Sequence, residues 1–388
     1  MGKGNGALER WSIGAFAPVP QRPKCPNIRE ITILNQYNLG YAYPRVNTAI
    51  KEQVDKASIV SLLHPLEVEL VEEIISAVPC AEMVRFMKSG AEATSACVRV
   101  ARAYTGREKV LHCGYHGWHD TFAAASNAKG VPKVLQGLIR SFGYNNLDGL
   151  AKILKEEGEQ FACIIMEART PPVEGFLEGV RSLADQYGMV LIFDEIVTGF
   201  RLALGGAQEY HKVTPDLAAF AKSMSNGLTL AAFVGKKEIM QIAADLLIST
   251  TYGNEALSLA AGLATIRELK EKNVFEHTWK MGQKLMDGWL KLGTELNLPL
   301  NVNGFAPIGA FDFNLDDSRL NQNVWTLFLQ EAALRGVLFR RGGLNFISFS
   351  HKEEDIQLTL DVCRDALGVI KTALEKSDVA VRLRTRDI

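Results

Sequence analysis

Residues 188–227 read GMVLIFDEIVTGFRLALGGAQEYHKVTPDLAAFAKSMSNG, and this stretch decides the fold of the chain. It contains two apolar runs, VLIF at 190–193 and LAAF at 217–220, which are separated by a longer and more polar connection. Runs that are apolar throughout, instead of alternating with polar residues, are typical of strands covered on both faces. The stretch therefore predicts two buried strands of a mostly parallel sheet.

Similar apolar runs occur elsewhere in the central part of the chain. They are MVRFM (83–87), KVLHC (109–113), FACIIME (161–167) and LAAFVG (230–235), and helical patterns lie between most of them. Strands that are separated by helices build folds in which helices cover both faces of a mostly parallel sheet. The sequence thus predicts a large domain of the α/β class.

The two ends of the chain have different patterns. Four prolines between residues 18 and 26 interrupt the first segment, which we expect to be an extended arm with turns. After about residue 255 come two long helical patterns, strand-like pieces at 309–315 and 345–351, and a closing helix from about 353 to 375. We therefore expect an N-terminal arm (1–45), a large domain (46–255) and a smaller α+β C-terminal domain (256–388).

Composition limits the classes of function. A chain of 388 residues with a formal net charge of −1 has no electrostatic field that would attract nucleic acid or an anionic membrane. The six cysteines form no CxxC pair and no metal-like spacing with histidine, and no apolar run approaches the roughly 18 residues of a membrane span. We expect a cytoplasmic protein without a metal site that recognises a small molecule in a local pocket.

Asp194 ends the apolar run at 190–194. In open α/β sheets, ligands bind beyond the carboxyl ends of the strands, so a polar residue at this position is a candidate for the site. A carboxylate at the tip of a buried strand is costly unless a cation or a hydrogen-bond donor accompanies it. The protonated pyridine nitrogen of pyridoxal phosphate is one such partner. Capping of a helix and binding of a metal are the alternative interpretations.

Lys222 follows the second apolar run after one intervening residue. Burial lowers the pKa of a lysine and so supplies the uncharged amine that attacks an aldehyde to form a Schiff base. The alternative interpretation is a lysine that extends to the surface.

Ser89, Gly90 and Ala91 lie where the run MVRFM passes into a helical pattern. Free backbone N–H groups and the helix dipole bind phosphate at such a turn, although an ordinary helix cap has the same sequence. Tyr115 lies in the loop GYHGWHD (114–120) after the next strand, where its ring either stacks on a flat ligand or packs in the core.

Together these segments resemble the class-III pyridoxal-phosphate aminotransferases, above all the branch of glutamate-1-semialdehyde aminomutase and its relatives. The segments 88–110 and 114–120 match the phosphate-binding turn and the ring-stacking tyrosine of the family, and 193–227 keeps its spacing of aspartate and lysine. GVPK (130–133) with YNNL (144–147) resembles the active-site loop of the aminomutase branch. The resemblance implies the fold of the pyridoxal-phosphate-dependent transferases of the aspartate-aminotransferase type.

The resemblance also implies a role for each matching residue. Lys222 forms the Schiff base and then carries a proton, while Asp194 holds the pyridine nitrogen. Ile196 packs beneath the cofactor ring and Tyr115 stacks on its other face. The full set of implied cofactor-binding residues is Lys222, Asp194, Ser89, Gly90, Ala91, Tyr115, Glu167, Ile196 and Thr251.

The segment STTYGNEALSLAAG (249–262) matches the one that family members contribute to the phosphate of the partner subunit. The resemblance implies Thr251 as the contributing residue, with Thr250 as the alternative. Sharing of this kind implies a homodimer with two active sites at the interface.

The implied activity is transfer of an amino group from an amine or amino-acid donor to a carbonyl acceptor, including a carbohydrate or another small polar acceptor. An intramolecular aminomutase that uses the same residues is the first alternative, and a non-catalytic homologue that binds pyridoxal phosphate is the second. A nicotinamide-dependent dehydrogenase is disfavoured because no GxGxxG motif follows any predicted strand.

Several positions depart from the pattern of the family. Ala168 stands where the family has a proline, and Glu255-Ala256 replaces an Asn-Pro pair. Gly343 aligns with a glutamate that is associated with the chemistry of the aminomutase, which argues against semialdehyde aminomutase activity.

Arginine is the residue that best suits bidentate binding of a carboxylate or phosphate. The candidates for a substrate anion are Arg169, Arg201, Arg340 and Arg341, and each of them is equally compatible with a structural ion pair.

Overall fold

The computed structural model describes residues 37–341 and 343–384. Most of the predicted N-terminal arm, residues 1–36, lies outside the described residues. The centre of the described chain is a seven-stranded sheet with the strand order β1-β7-β6-β5-β4-β2-β3. The strands are β1 (Met83–Met87), β2 (Lys109–Cys113), β3 (Ile139–Ser141), β4 (Phe161–Met166), β5 (Val190–Asp194), β6 (Leu217–Phe220) and β7 (Ala231–Gly235).

The neighbouring pairs β6–β5, β5–β4, β4–β2 and β2–β3 are parallel, whereas β7 is antiparallel to both β6 and β1. The prediction of a mostly parallel sheet is therefore confirmed. Only β3 lacked a sequence signal among these strands, since a three-residue strand is too short to show a periodic pattern. The carboxyl ends of β2, β4, β5 and β6 all lie at one edge of the sheet, which is where the candidate residues follow.

Two helices precede the first strand, and the others lie between the strands and after them. They are α1 (Pro44–Val54), α2 (Pro65–Ala77), α3 (Gly90–Thr105), α4 (Asp120–Ala123), α5 (Leu147–Glu157), α6 (Phe176–Gln186), α7 (Ala207–His211), α8 (Lys237–Met240), α9 (Ala256–Glu271), α10 (Val274–Leu296), α11 (Ser318–Leu334) and α12 (Glu353–Glu375). Local signals set several of their ends, because Pro44 and Pro65 open α1 and α2 at positions that need no backbone donor.

Both faces of the sheet are covered, as the unbroken apolar strands require. On β6, Ala219 packs in the cluster that contains α3, whereas its neighbours Ala218 and Phe220 pack in the cluster that contains α1, α2 and α9. Every residue of β4 is buried. Alternation of side chains between two apolar layers explains why these strands lack the polar alternation of a half-exposed sheet.

The C-terminal part has its own apolar cluster around a two-stranded antiparallel sheet, β8 (Leu300–Asn303) and β9 (Ala310–Phe313). Helices α10, α11 and α12 pack on it, with Trp289, Phe311 and Phe328 at the centre. Helix α11 was not predicted from the sequence. The division at residue 255 stays a prediction, although α9, which lies beyond it, packs with α1 and α2 against the large sheet.

The strand predicted at 345–351 is wrong. The amides of Asn345 and Ile347 donate to the carbonyls of Gly309 and Pro307, as in a ladder. Pro307 belongs to a short 3₁₀-helix, however, so the partner backbone is not extended and no strand pairing develops.

Within the described ranges, no helix is long and apolar enough to cross a membrane.

Alanine substitutions at two glycines in the C-terminal helices are expected to have opposite effects on stability. A Cβ atom on Gly282 of α10 would lie 1.9 Å from the carbonyl oxygen of Ala306, whereas one on Gly368 of α12 would meet nothing within 4 Å. We expect Gly368→Ala to raise the free energy of unfolding by up to ~1 kcal/mol through helix propensity. We expect Gly282→Ala to lower it by roughly 1–3 kcal/mol through overpacking. Urea denaturation followed by circular dichroism measures the free energy of unfolding of both variants. Equal changes in the two variants would contradict the close packing of α10 on Ala306.

Candidate active site

Asp194 ends β5 and is buried at the carboxyl edge of the sheet. Its Oδ2 atom lies 2.8 Å from Nδ1 of His116, and its Oδ1 atom accepts a hydrogen bond of 3.1 Å from the amide of Ile196. The Nε2 atom of His116 is also buried and has no hydrogen-bond partner among the described residues. The imidazole thus holds one carboxylate oxygen in place and orients the group, as a partner in a hydrogen-bonded pair does.

Lys222 begins a short 3₁₀-helix that follows β6, and its φ angle of 50° lies in the left-handed region. Such backbone conformations are costly for residues with a side chain, and they occur most often where function requires them. Burial lowers the pKa of Lys222 to about 8, although Asp194 and Glu167 act in the opposite direction. Because burial is the largest effect, the amine loses its proton far more easily than that of an exposed lysine.

Glu167 follows β4 and is buried beside the loop that holds Tyr115. Its Oε2 atom accepts a hydrogen bond of 2.9 Å from the amide of Tyr115. Burial, together with the negative charge of Asp194, raises the pKa of Glu167. Gly114 has a φ of +114°, and a Cβ atom there would lie 2.5 Å from Oε2 of Glu167, so the close approach of loop and carboxylate requires glycine.

The ring of Tyr115 is 55% exposed at the same edge. Burial of the hydroxyl and the charges of Asp194 and Glu167 raise its pKa. Tyr115 therefore lies at the surface rather than in the core, and its stacking on a cofactor ring stays a prediction. Trp118 in the same loop is exposed, whereas His116 is buried.

Helix α3 presents its N-terminus to this region. Ser89 is the N-cap, and it forms a reciprocal capping box with Glu92, whose Oε2 accepts from the amides of Lys88 and Ser89 at 3.0 and 2.7 Å. The first amides of a helix, here those of Gly90 and Ala91, have no acceptor within the helix and favour an anion. The sequence prediction that this turn holds a phosphate is thus compatible with its geometry.

Ile196 connects the carboxylate end of β5 to this helix. A Cβ atom on Gly90 would lie 3.0 Å from Cδ1 of Ile196, so the isoleucine side chain lies against the start of α3. Ile196 is two residues beyond Asp194 and donates its amide to that carboxylate. The predicted floor of the ring site, the carboxylate and the phosphate turn therefore form one continuous surface.

The segment that carries Thr250 and Thr251 lies beside the end of β1. A Cβ atom on Gly253 would lie 3.2 Å from the carbonyl oxygen of Phe86, so the turn packs on the backbone that leads to the phosphate turn. Thr251 is exposed and Thr250 is partly buried. The exposure of Thr251 suits a residue that reaches a partner subunit, and the choice between the two threonines stays a prediction.

Two buried contacts near Lys222 were not predicted from the sequence. His116, in the loop that holds Tyr115, is the partner of Asp194. Arg201 is fully buried, and it donates from Nε to the carbonyl of Val197 at 3.0 Å and from Nη2 to Oγ of Ser223, next to Lys222. The only sequence signal for a role of His116 in the site was its position directly after Tyr115, in a loop at the edge of the sheet.

Glu255, which replaces an asparagine of the family pattern, has a structural explanation. It caps α9 by accepting from the amides of Leu257 and Ser258 at 2.7 and 3.1 Å. Its Oε2 atom also lies 3.2 Å from Nζ of Lys88, the residue before the phosphate turn. This ion pair joins the threonine-bearing segment to the phosphate turn across the two elements.

The chemistry of these residues fits a cofactor with a basic ring nitrogen, an aldehyde and a phosphate. A buried carboxylate held by His116 suits a protonated ring nitrogen, an easily deprotonated Lys222 suits an aldehyde, and the open amides of α3 suit a phosphate. Within residues 37–341 and 343–384, no group of three or more His, Cys, Asp or Glu side chains is arranged to hold a metal. Pyridoxal phosphate therefore matches the residues that are present.

Solved structures with the same fold are transaminases and an aminomutase. A transaminase with PLP bound is 24% identical to this chain and has a TM-score of 0.82, with 87% of this chain and 85% of that chain covered. A glutamate-1-semialdehyde aminomutase from Pseudomonas aeruginosa PAO1 is 23% identical with a TM-score of 0.76, and 87% of this chain and 82% of that chain are covered. These similarities confirm the predicted fold.

Curated relatives are similar along most of their sequence. A 3-aminobutyryl-CoA aminotransferase from Cloacimonas acidaminovorans (strain Evry) is 34% identical over 349 residues, which cover 87% of this chain and 83% of that protein. A glutamate-1-semialdehyde 2,1-aminomutase from Desulfitobacterium hafniense (strain DSM 10664 / DCB-2) is 36% identical, over 85% of this chain and 84% of that protein. A family model described as aminotransferase class-III matches residues 32–367. The chain therefore belongs to the class-III aminotransferase family.

Proposed function

We propose that the protein is a pyridoxal-phosphate-dependent aminotransferase that moves an amino group from an amine or amino-acid donor to a carbonyl acceptor. The observation that carries the proposal is Lys222, which follows β6 in a left-handed backbone conformation and whose pKa burial lowers to about 8. A lysine with a lowered pKa in a cleft of charged groups is a typical nucleophile and proton carrier.

When bound, pyridoxal phosphate supplies the electron sink for the substrate carbon. The residues of this chain supply binding, orientation and proton transfer. Lys222 holds the cofactor covalently through Nζ and, once displaced by the substrate amine, moves a proton at that atom. Asp194 keeps the ring nitrogen protonated, and His116 fixes the orientation of this carboxylate.

The remaining residues position the cofactor. The turn Ser89–Ala91 would bind the phosphate through backbone amides, while Ile196 and Tyr115 would pack against the ring. Glu167 closes the site on the side of β4, where it accepts the amide of Tyr115.

An intramolecular aminomutase is the alternative function, since relatives with that activity are as similar as the aminotransferase. The two differ in whether a separate amino donor is needed. Gly343 favours the aminotransferase, because the aligned glutamate of the aminomutase branch is missing from this chain. The side chain of Arg340 lies against Gly343, 3.0 Å from where a Cβ atom would be, and occupies part of that space.

We further propose a homodimer, because apolar side chains are exposed around the threonine segment. Leu247 is 87% exposed, and Tyr252 is exposed on the other side of Thr251. An exposed apolar patch at a site that needs a residue from a second chain is typical of an interface between identical subunits.

The segment between α1 and α2 extends this surface. Leu62 and Leu63 are exposed there, and the carbonyl of Ser58 accepts a hydrogen bond of 2.8 Å from the amide of Ala256. This contact joins the segment to the start of α9, directly after the threonine segment. The proposed interface thus includes exposed leucines from a second segment, which is anchored next to the threonine segment.

The covalent role of Lys222 is tested by reductive trapping. We expect the purified protein to be yellow, and borohydride to attach the cofactor to the peptide that contains Lys222. Lys222→Ala should bind the cofactor only non-covalently and should lose transamination by several orders of magnitude. A matched lysine control is Lys237→Ala on α8, which should leave both properties unchanged.

A panel of amino donors with 2-oxo acid and keto-sugar acceptors, with glutamate semialdehyde included, then separates the two functions. Bleaching of the yellow colour by a donor alone supports the aminotransferase. Turnover of the semialdehyde without any donor would favour the aminomutase. A colourless protein that cannot be loaded with cofactor would overturn the whole proposal.

The pH dependence of cofactor attachment follows from the pKa of Lys222. Only the uncharged amine attacks the aldehyde, and with a pKa of about 8 roughly a tenth of Lys222 is uncharged at pH 7. We expect the rate of covalent attachment to the cofactor-free protein to rise about tenfold per pH unit up to pH 8 and then to level off. Stopped-flow absorbance measures this rate. A rate that climbs steadily to pH 10 would show an ordinary lysine.

The dimer is tested by substitution on its proposed surface. Light scattering of the wild-type protein should give twice the chain mass of 42.7 kDa. Leu247→Asp should shift the protein towards the monomer and weaken cofactor retention, because a buried unpaired charge is costly. Val381→Asp, at an equally exposed apolar residue in the C-terminal segment, should change neither property. A monomeric wild-type protein that retains cofactor would disprove the shared site.

A further inference from the structure

Arg169 lies at the edge of the sheet where the proposed cofactor site is, two residues after Glu167. The backbone around it is held on both sides. The amide of Glu167 donates to the carbonyl of Cys113 at 3.2 Å, and the carbonyl of Thr170 accepts from the hydroxyl of Tyr144 at 2.8 Å. The position from which the Arg169 side chain extends is therefore fixed by two neighbouring elements.

The loop beyond Arg169 is also held in place by a hydrogen bond and by aromatic packing. The side-chain oxygen of Asn145 accepts a hydrogen bond of 2.9 Å from the amide of Val173. The ring of Tyr144 also packs edge-on against Phe176, with the centroids 5.0 Å apart. Arg169 thus belongs to an ordered loop, and this is the arrangement that precise recognition of a small ligand requires.

The side chain of Arg169 is 42% exposed, and its charged end is only partly used. Its Nε atom lies 3.4 Å from Oε2 of Glu167. The two terminal nitrogens have no acceptor among the residues that the structure describes. A guanidinium has two edges, and one edge paired with a carboxylate leaves the fork of the terminal nitrogens for a second anion.

The charge of Arg169 affects the pKa of the Lys222 amine. It acts with Arg201 to lower the pKa of Lys222, against the opposing effects of Asp194 and Glu167. The ion pair with Glu167 holds Arg169 at the same edge of the sheet as Lys222.

Two of the other candidate arginines, Arg201 and Arg341, are engaged elsewhere. Arg201 is fully buried, donates to Val197 and Ser223, and has its guanidinium 4.7 Å from the ring centroid of Phe346. Arg341 donates to the hydroxyl of Thr326 on α11. Burial therefore withdraws Arg201 from a substrate, and the hydrogen bond directs Arg341 to the C-terminal part of the chain.

We propose that Arg169 binds the carboxylate of the amino donor through its terminal nitrogens, so that the donor is an amino acid rather than a simple amine. This inference rests on the proposed function, since it requires a cofactor on Lys222. Glu167 pairs with the Nε edge of the guanidinium and so leaves its two terminal nitrogens for the carboxylate. Arg169 is in this way a specificity-determining residue of the site.

The test uses two reagents that differ in a carboxylate. Aminooxyacetate carries one, and O-methylhydroxylamine is neutral. Both attack the cofactor carbon through the aminooxy nitrogen and displace the Lys222 amine, so the absorbance of the lysine-linked cofactor is lost. The second-order rate constants are measured on the loaded protein, and the ratio of the two constants is compared with the same ratio for free pyridoxal phosphate in solution.

We expect the wild-type ratio to exceed the solution ratio by about tenfold or more, because charge-assisted hydrogen bonds to a carboxylate contribute that much. Arg169→Met should bring the ratio down to the solution value without changing the rate of O-methylhydroxylamine. Arg169→Lys should give an intermediate ratio, since an ammonium keeps the charge but loses the fork. Arg364→Met, at another exposed arginine that pairs with Glu295, is the matched control and should behave as wild type.

The outcomes separate this proposal from the proposed function. A wild-type ratio equal to the solution ratio overturns the carboxylate site, even if the Arg169 variants fail to fold. Equal slowing of both reagents in Arg169→Met also overturns it and assigns Arg169 a purely structural role beside Glu167. A protein that never acquires the absorbance of lysine-linked cofactor refutes the proposed function itself.

Discussion

A carboxylate that is buried at the tip of a strand must have a partner, and the architecture of this site follows from that constraint. Asp194 is held by Nδ1 of His116 at 2.8 Å and by the amide of Ile196 at 3.1 Å. One of these partners comes from the loop after β2, and the other comes from the turn that leads to the connection with β6. The pairing of one buried charge thus fixes two loops of the sheet edge relative to each other.

The same edge balances charges of both signs in a small volume. Asp194 and Glu167 favour the charged form of Lys222, whereas burial, Arg201 and Arg169 disfavour it, and burial has the largest effect. The result is an amine that is partly uncharged near neutral pH. A lysine in water would be almost entirely protonated there and would be a poor nucleophile.

Close approach of backbone segments completes the site. Gly90 allows Ile196 to lie against the start of α3, and Gly114 allows the loop with Tyr115 to contact Glu167. The Lys88–Glu255 ion pair then joins the phosphate turn to the segment of Thr251. In this way the proposed cofactor surface and the proposed subunit interface are joined, and a change in one is expected to affect the other.

The sequence by itself determined the mostly parallel sheet and most helix and strand positions. It also identified the candidate site residues that follow β1, β2, β4, β5 and β6. These features depend on local periodicity and on the rule that parallel strands end at a common edge. Tertiary structure alone decided that His116 holds Asp194, that Glu255 pairs with Lys88, and that 345–351 is not a strand. It also distinguished the exposed Arg169 from the buried Arg201. Burial and pairing depend on residues distant in the chain, and no local pattern encodes them.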